Sequence, residues 1–414
     1  MNRPTVAVVL FPDDLSVLES EVAGRAACEY LLENLNECDG MEVRIVSNDH
    51  PRPGTLLERY SKLSKCKLSE LHTEAWQGRG LLIIDARAWL SRSALADILS
   101  CVAGAEHSLK FVESSETLAS YRDVMTIAVY LPPEQLHRDP FVREHHGDEQ
   151  GFERVVKPLS LADADIVACS NLGSTFSALL VTSYFELAEL ERRLLMERAV
   201  AALRQGVRIH DPARVYIRGS LECGSGVSID SNVIIEGNVF LGNNVKIGAN
   251  SILRTSRIGD GTQINPFSLV EQSSVGAASF VGPYARIRPG SVIGDNVQIG
   301  NYVEIKNSRI GDGSRVNHHT FIGDALLADH VTIGAGTITC NHDGVGTNRT
   351  VIERGAYVGS GCNLVAPLRI GENAIVGAGS TIVRDVPGGK LTLARQRQTT
   401  IENWRGPSSG RKRT

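Results

Sequence analysis

Residues 275–305 read VGAASFVGPYARIRPGSVIGDNVQIGNYVEI, and an aliphatic side chain returns in them at every sixth position: Val275, Val281, Ile287, Ile293, Ile299 and Ile305. A helix would return one about every 3.6 residues and a half-buried strand every second. A parallel β-helix of hexapeptide repeats fits instead, each hexad supplying one flat face of a prism with its aliphatic residue pointing inward. The period extends through Ile229, Ile235, Leu241 and Ile247 on one side. On the other it runs through Ile310, Val316, Ile322 and Ile333, then Val358, Leu364, Ile370, Val376 and Ile382. Three hexads per coil predict roughly eight to nine coils stacked at about 4.8 Å, a prism about 40 Å long. Such solenoids are left-handed, an exception to the right-handed crossover rule. Their interior leaves little room for a ligand, so any site lies on an outer face or between subunits. The ladder breaks between Ile333 and Val358, and the polar stretch 337–354 is expected as an external loop and not as prism wall.

Up to about residue 205 the pattern is mixed. Residues 6–11, 43–46, 81–85 and 124–131 read as strands, while 23–35, 93–101 and 185–203 carry apolar residues at helical spacing. The alternation predicts an α/β domain with a mostly parallel sheet. Residues 136–151, rich in His, Asp and Glu, are expected as a mobile surface loop. The expected organisation is an α/β domain over 1–184, a helical connector over 185–212, a left-handed β-helix over 213–395 and a tail over 396–414.

A net charge of -4 with 22% charged residues provides no field for nucleic acid or a membrane surface. The eight cysteines contain no C-x-x-C pair, which disfavours a zinc site and a disulfide framework and fits a reducing compartment. The N-terminus has no signal-peptide pattern and no run of 18 apolar residues occurs, so the expected location is the cytoplasm.

Several motifs ride on the β-helix. They include Arg286-Ile287-Arg288-Pro289-Gly290, Asn301-Tyr302-Val303-Glu304-Ile305-Lys306, His318 with Thr320, and Ile333-Gly334-Ala335-Gly336-Thr337. Leu364-Val365-Ala366-Pro367 and Glu402-Asn403-Trp404 follow. With these runs, residues 215–405 resemble the acetyltransferase half of the bifunctional glucosamine-1-phosphate N-acetyltransferase/N-acetylglucosamine-1-phosphate uridyltransferase family. Amine acylation needs a base to take the attacking amine's proton, and a neutral imidazole suits that at pH 7. The resemblance assigns that role to His318. It implies sugar-phosphate binding by Arg288 and Lys306, amino-sugar contact by Asn341, and acetyl-CoA contact by Ala335, Ser360 and Ala378, with Arg395 near the CoA phosphates. Glu304 either orients the base or pairs with a cation. The resemblance also implies a closed homotrimer with active sites shared between neighbours.

The departures fall on the acceptor side. Phe321 stands where the family has tyrosine, Thr332 where it has asparagine, and His342 and Thr347 where it has a loop tyrosine and lysine. Rewritten hydrogen-bonding contacts change which ligand a pocket accepts. The N-terminal half resembles the family's nucleotidyltransferase, Rossmann-like and truncated, without its chemistry. The glycine-rich phosphate loop is replaced by Phe11-Pro12-Asp13-Asp14-Leu15-Ser16, and of the two magnesium ligands only Asp85 has a counterpart, Thr182 standing for the other. Neither magnesium nor another metal is expected, and uridyltransferase activity is expected to be lost. The reading is an acetyl-CoA-dependent N-acetyltransferase acting on an amino sugar phosphate such as glucosamine 1-phosphate, or on a different amine. A non-catalytic scaffold and an acyltransferase with another donor stay open.

Overall fold

The computed structural model describes residues 5–11, 21–22, 25–37, 41–46, 63–66, 79–103, 105, 107–112, 126–132, 165–168 and 178–404. They form two compact units, Met1–Leu194 and Leu195–Thr414.

The first unit is built on a seven-stranded sheet. Its central strand Thr5–Leu10 pairs in parallel with Glu42–Val46 and with Gly80–Asp85. Leu63–Cys66 and Asp165–Ala168 are its two edge strands, each in parallel pairing. Thr126–Leu131 runs antiparallel between Gly80–Asp85 and Leu109–Val112, so the expected mostly parallel sheet has one reversed strand. Helices Ala27–Asn36 and Arg92–Ala103 present Leu31, Leu32, Leu35, Leu95 and Ile98 to the core, each almost wholly buried. Burial of such side chains contributes about 1.5–3 kcal/mol each. The expected loop 136–151 lies outside the described residues.

In the second unit the last turns of helix Tyr184–Arg204 bring Ala199 and Ala202 to the start of the prism core. One prism face is an 11-stranded parallel sheet from Arg208–Ile209 to Leu391–Thr392, and a 17-stranded ladder forms the remaining wall. Eleven rungs at about 4.8 Å make the prism roughly 48 Å long. It is longer than the aliphatic ladder predicts because Ile209 and Thr392 extend the pairing at both ends. A single apolar core runs from Ala199 to Val386. Among the described residues no helix is long and apolar enough to cross a membrane.

The register gives the length of each coil. Ile299 pairs with Val316 and Val316 with Ile333, 17 residues apart, but Ile333 pairs with Val358, 25 residues on. The extra residues leave the prism after Cys340 and return at Thr350, which corrects the expected loop over 337–354. Ile338–Cys340 and Thr350–Ile352 are wall strands, and only 341–349 leaves it. Thr339 takes an aliphatic ladder position at 1% exposure because its hydroxyl accepts the Gly323 amide at 2.8 Å, which removes the cost of burying it.

Candidate active site

His318 ends the strand Arg315–His318, whose Val316 anchors it in the core while His318 itself is exposed. One coil earlier, Asn301 is its register partner, and His318 Nδ1 lies 2.7 Å from Asn301 Oδ1. An amide oxygen only accepts, so Nδ1 is the donor, and in the neutral imidazole that leaves the lone pair on Nε2. The sequence reading missed Asn301. Its signal was its spacing of 17 residues from His318, one full coil. Beside this pair opens a cleft of about 480 Å³ whose lining includes Tyr284, Gln298, Tyr302 and Asn317.

On the other side of His318, one residue per coil continues the same column. The His318 carbonyl accepts the amide of Gly336, Ala335 that of Gly361, and Ser360 that of Gly379, at 3.2, 2.7 and 2.8 Å. Arg395 Nη1 closes the column by donating to the Ala378 carbonyl at 3.0 Å. Ala335, Ser360, Ala378 and Arg395 therefore line up above His318 at steps of about 4.8 Å. The neighbouring corner column changes character at the same level. Phe267, Tyr284, Tyr302 and His319 stack there at centroid distances of 4.9, 5.3 and 4.9 Å, and Gly336, Gly361 and Gly379 continue it bare. Among the described residues a side chain at Gly361 or Gly379 would meet open space, so the corner beside Ser360 and Ala378 is uncovered there.

The remaining candidates gather on another face. Arg288 Nη1 bonds Glu304 Oε1 at 2.7 Å, so Glu304 pairs with a cation and it is Asn301 that is bonded to His318. Glu304 is the register neighbour of Phe321, and Lys306 that of Gly323. The Phe321 ring and the Asn341 amide crowd Gly323 so closely that a Cβ there would lie 2.6 and 2.8 Å from them. Asn341 Nδ2 donates to Asp324 Oδ2 at 2.5 Å. Thr332 lies apart, between Arg315 and Tyr357 on the face of the His318 strand. Arg288, Glu304, Lys306 and Phe321 are absent from the lining of the His318 cleft. Within one chain His318 and these residues thus belong to different sheets of the prism.

The 341–349 loop folds on itself. Asp343 accepts the amides of Val345 and Gly346 at 2.9 and 2.8 Å and the Asn348 side-chain amide at 2.9 Å. These bonds, the Gly346 amide foremost, bring its carboxyl down to about 2. His342 Nδ1 accepts the Gly344 amide at 3.0 Å, and Thr347 bridges back to His342.

In the first unit Asp85 is 1% exposed and already holds a cation. It accepts the Arg87 amide at 2.8 Å, while Arg87 Nη2 reaches its second oxygen at 2.7 Å. Thr182 Oγ1 donates to Glu186 at 3.3 Å. These residues do not fit a magnesium ion, since the carboxylate that would hold it is saturated by its own arginine. The replaced phosphate loop after Phe11 lies outside the described residues.

Comparison with known proteins accords with this geometry. The family model for the bacterial transferase hexapeptide (six repeats) matches residues 349–384, and that for the GMPPB C-terminal domain matches 217–299. The bifunctional protein GlmU of Methylibium petroleiphilum is 47% identical over 256 residues, 62% of this chain and 56% of that protein. GlmU of Herminiimonas arsenicoxydans is 41% identical over 297 residues, 71% of this chain and 66% of that protein. Among solved structures, an Arabidopsis UDP-N-acetylglucosamine acyltransferase matches 46% of this chain and 70% of its own, at 19% identity and a TM-score of 0.38. The fold and the column of small residues above a histidine define a hexapeptide-repeat β-helix protein of the bacterial transferase class. Within that class, the chain is a GlmU-like protein. It spans between half and two thirds of the length of the curated relatives it matches.

Proposed function

We propose that this chain is an acyltransferase that moves an acetyl group from acetyl-CoA to the amine of a small acceptor, with His318 as the base. The column His318, Ala335, Ser360, Ala378, Arg395 carries the reading. An extended thioester arm lies along small side chains and backbone amides, its phosphates toward Arg395 and its carbonyl beside His318. Nε2 removes a proton as the amine attacks the thioester carbon. The C–N bond forms, backbone amides offset the oxyanion, and the C–S bond breaks to release the CoA thiolate. Arg288, Lys306 and Asn341 serve an acceptor, and because they stand apart from His318 the complete site draws on a second copy within a homotrimer. Among the described residues Cys101, Cys223, Cys340 and Cys362 form no disulfide, in keeping with the reducing compartment of the cytoplasm.

The first unit, with Arg87 on Asp85, performs no nucleotidyl transfer on this reading. Coenzyme A release with a panel of amines tests the proposal. Turnover that His318→Ala abolishes while acetyl-CoA still binds is the expected result. A wild-type chain that releases no coenzyme A with any amine, or that is monomeric by light scattering, overturns it.

A further inference from the structure

At the prism corner that follows Lys306, Asn307, Asp324 and Asn341 form a column, each 17 residues from the next. Asp324 stands in the middle, half-buried. Its Oδ1 accepts Asn307 Nδ2 at 2.6 Å and its Oδ2 accepts Asn341 Nδ2 at 2.5 Å. Among the described residues Asp324 pairs with no cation, although Lys306 is the register neighbour of Gly323, the residue before it. A carboxylate kept only for charge balance would bond that ammonium; this one spends both oxygens on neutral amides.

A carboxylate only accepts, so each asparagine turns its NH₂ toward Asp324 and its carboxamide oxygen away. Asn307 Oδ1 lies toward Gly290, where a Cβ would stand 2.9 Å from it. Asn341 Oδ1 has no hydrogen-bond partner among the described residues, although Asn341 as a whole is only 9% exposed. The main chain of Asn341 is held on both sides. Its amide donates to the Thr339 carbonyl at 3.0 Å, and its carbonyl accepts the Asn348 amide at 2.6 Å. The freedom left to Asn341 is rotation of its carboxamide, and Asp324 decides which end faces outward. An untethered carboxamide offers a donor and an acceptor alike, whereas this one offers its oxygen.

We infer that Asp324 is a positioning residue of the acceptor site. By holding the Asn341 NH₂ it fixes the Asn341 oxygen as a hydrogen-bond acceptor, so the site selects a molecule that brings an N–H or O–H to that point. The inference rests on the reading of Asn341 as a contact of the acceptor, but the tether itself does not.

Exchanging the two side chains on the full chain tests it. Asp324→Asn keeps the shape, but its oxygen stays with Asn307 and its NH₂ faces Asn341, whose carboxamide turns over and presents a donor. In coenzyme A release the KM for the amine acceptor rises about three- to tenfold, as loss of one hydrogen bond implies, while the KM for acetyl-CoA is retained. Adding Asn341→Asp restores the pair in reverse, with one carboxylate oxygen on the new amide and the other outward, and the KM for the acceptor returns toward that of the wild type. A residue that served stability alone would show no recovery from the second substitution. Circular dichroism establishes that the variants are folded. An unchanged KM in Asp324→Asn, an equal rise for both substrates, or a double variant no better than the single one overturns the inference. If the wild type releases no coenzyme A with any amine, the acetyl-transfer reading falls instead, and side-chain amide exchange decides the tether. Asn341 Nδ2 protons protected in the wild type and freely exchanging in Asp324→Ala sustain it, and equally fast exchange in both overturns it.

Discussion

The two units solve the problem of an exposed backbone differently. In the first, seven strands of unequal length are ordered by a crossover topology with one strand reversed, and each position has its own neighbours. In the second, one register rule repeats, so a residue's neighbours are its counterparts 17 or 18 positions away. In the first unit a buried carboxylate is neutralised privately by the arginine two residues on. The β-helix places His318, Ala335, Ser360 and Ala378 in one file without any of them being close in sequence. A repeated register converts distant residues into a linear site, which a singly built sheet achieves only through its loops.

The sharpest way to break this comparison is through chemistry. His318→Ala is expected to lower the rate of coenzyme A release by about 10²–10⁴-fold, the range for loss of a general base, while Asp85→Asn leaves it unchanged. An equal loss in both would mean that catalysis is not confined to the β-helix. Next comes packing. Ile299→Ala and Ile84→Ala each remove a fully buried side chain and are expected to cost about 2–5 kcal/mol in their own units. Denaturant unfolding of the full chain, followed by amide exchange at Val316 and at Val8, distinguishes a local loss from a shared one.

How much of this was legible beforehand differs between the units too. Six-residue periodicity in Val275 to Ile305 identified the prism because each aliphatic residue repeats the same environment. It failed at Thr339, where a hydroxyl bonded to Gly323 stands in for an aliphatic group, and so placed Ile352 in a loop. His318 was recognisable from its motif. Asn301 was not, because its role exists only through register, and neither was Arg87, whose bond to Asp85 is local but carries no motif. In the first unit the strands were readable, but the reversal of Thr126–Leu131 was not, since an apolar strand reads the same in both directions.

Two smaller effects sharpen the picture inside the β-helix. Asn301→Asp places a carboxylate on His318 Nδ1, which favours the imidazolium. On the proposed mechanism the imidazole acts in its neutral form, so the acid limb of the pH–rate profile is expected to move to higher pH. Activity falls most on the acid side and returns as the pH is raised. An unshifted limb would remove Asn301 from the role of positioning residue.

The smallest change is expected at Asp343. Its carboxyl is depressed to about 2 from 3.8, so its support for the 341–349 turn is fully present above pH 4 and is lost as pH falls toward 2. Amide exchange at Val345 and Gly346, corrected for intrinsic rates, should accelerate over that interval and in Asp343→Ala at neutral pH.

The 25-residue coil holds a further consequence. Ile333 and Val358 keep their pairing although eight more residues than usual separate them, because the excess leaves at one corner and returns to the next wall strand in register. The prism acts there as a socket, and the loop as an interchangeable cartridge. Exchanging 341–349 for loops of other length and charge should alter what the acceptor meets while the column from His318 to Arg395 keeps its spacing. Variation in substrate and constancy in chemistry are then inherited separately, on two sides of one bend in the chain.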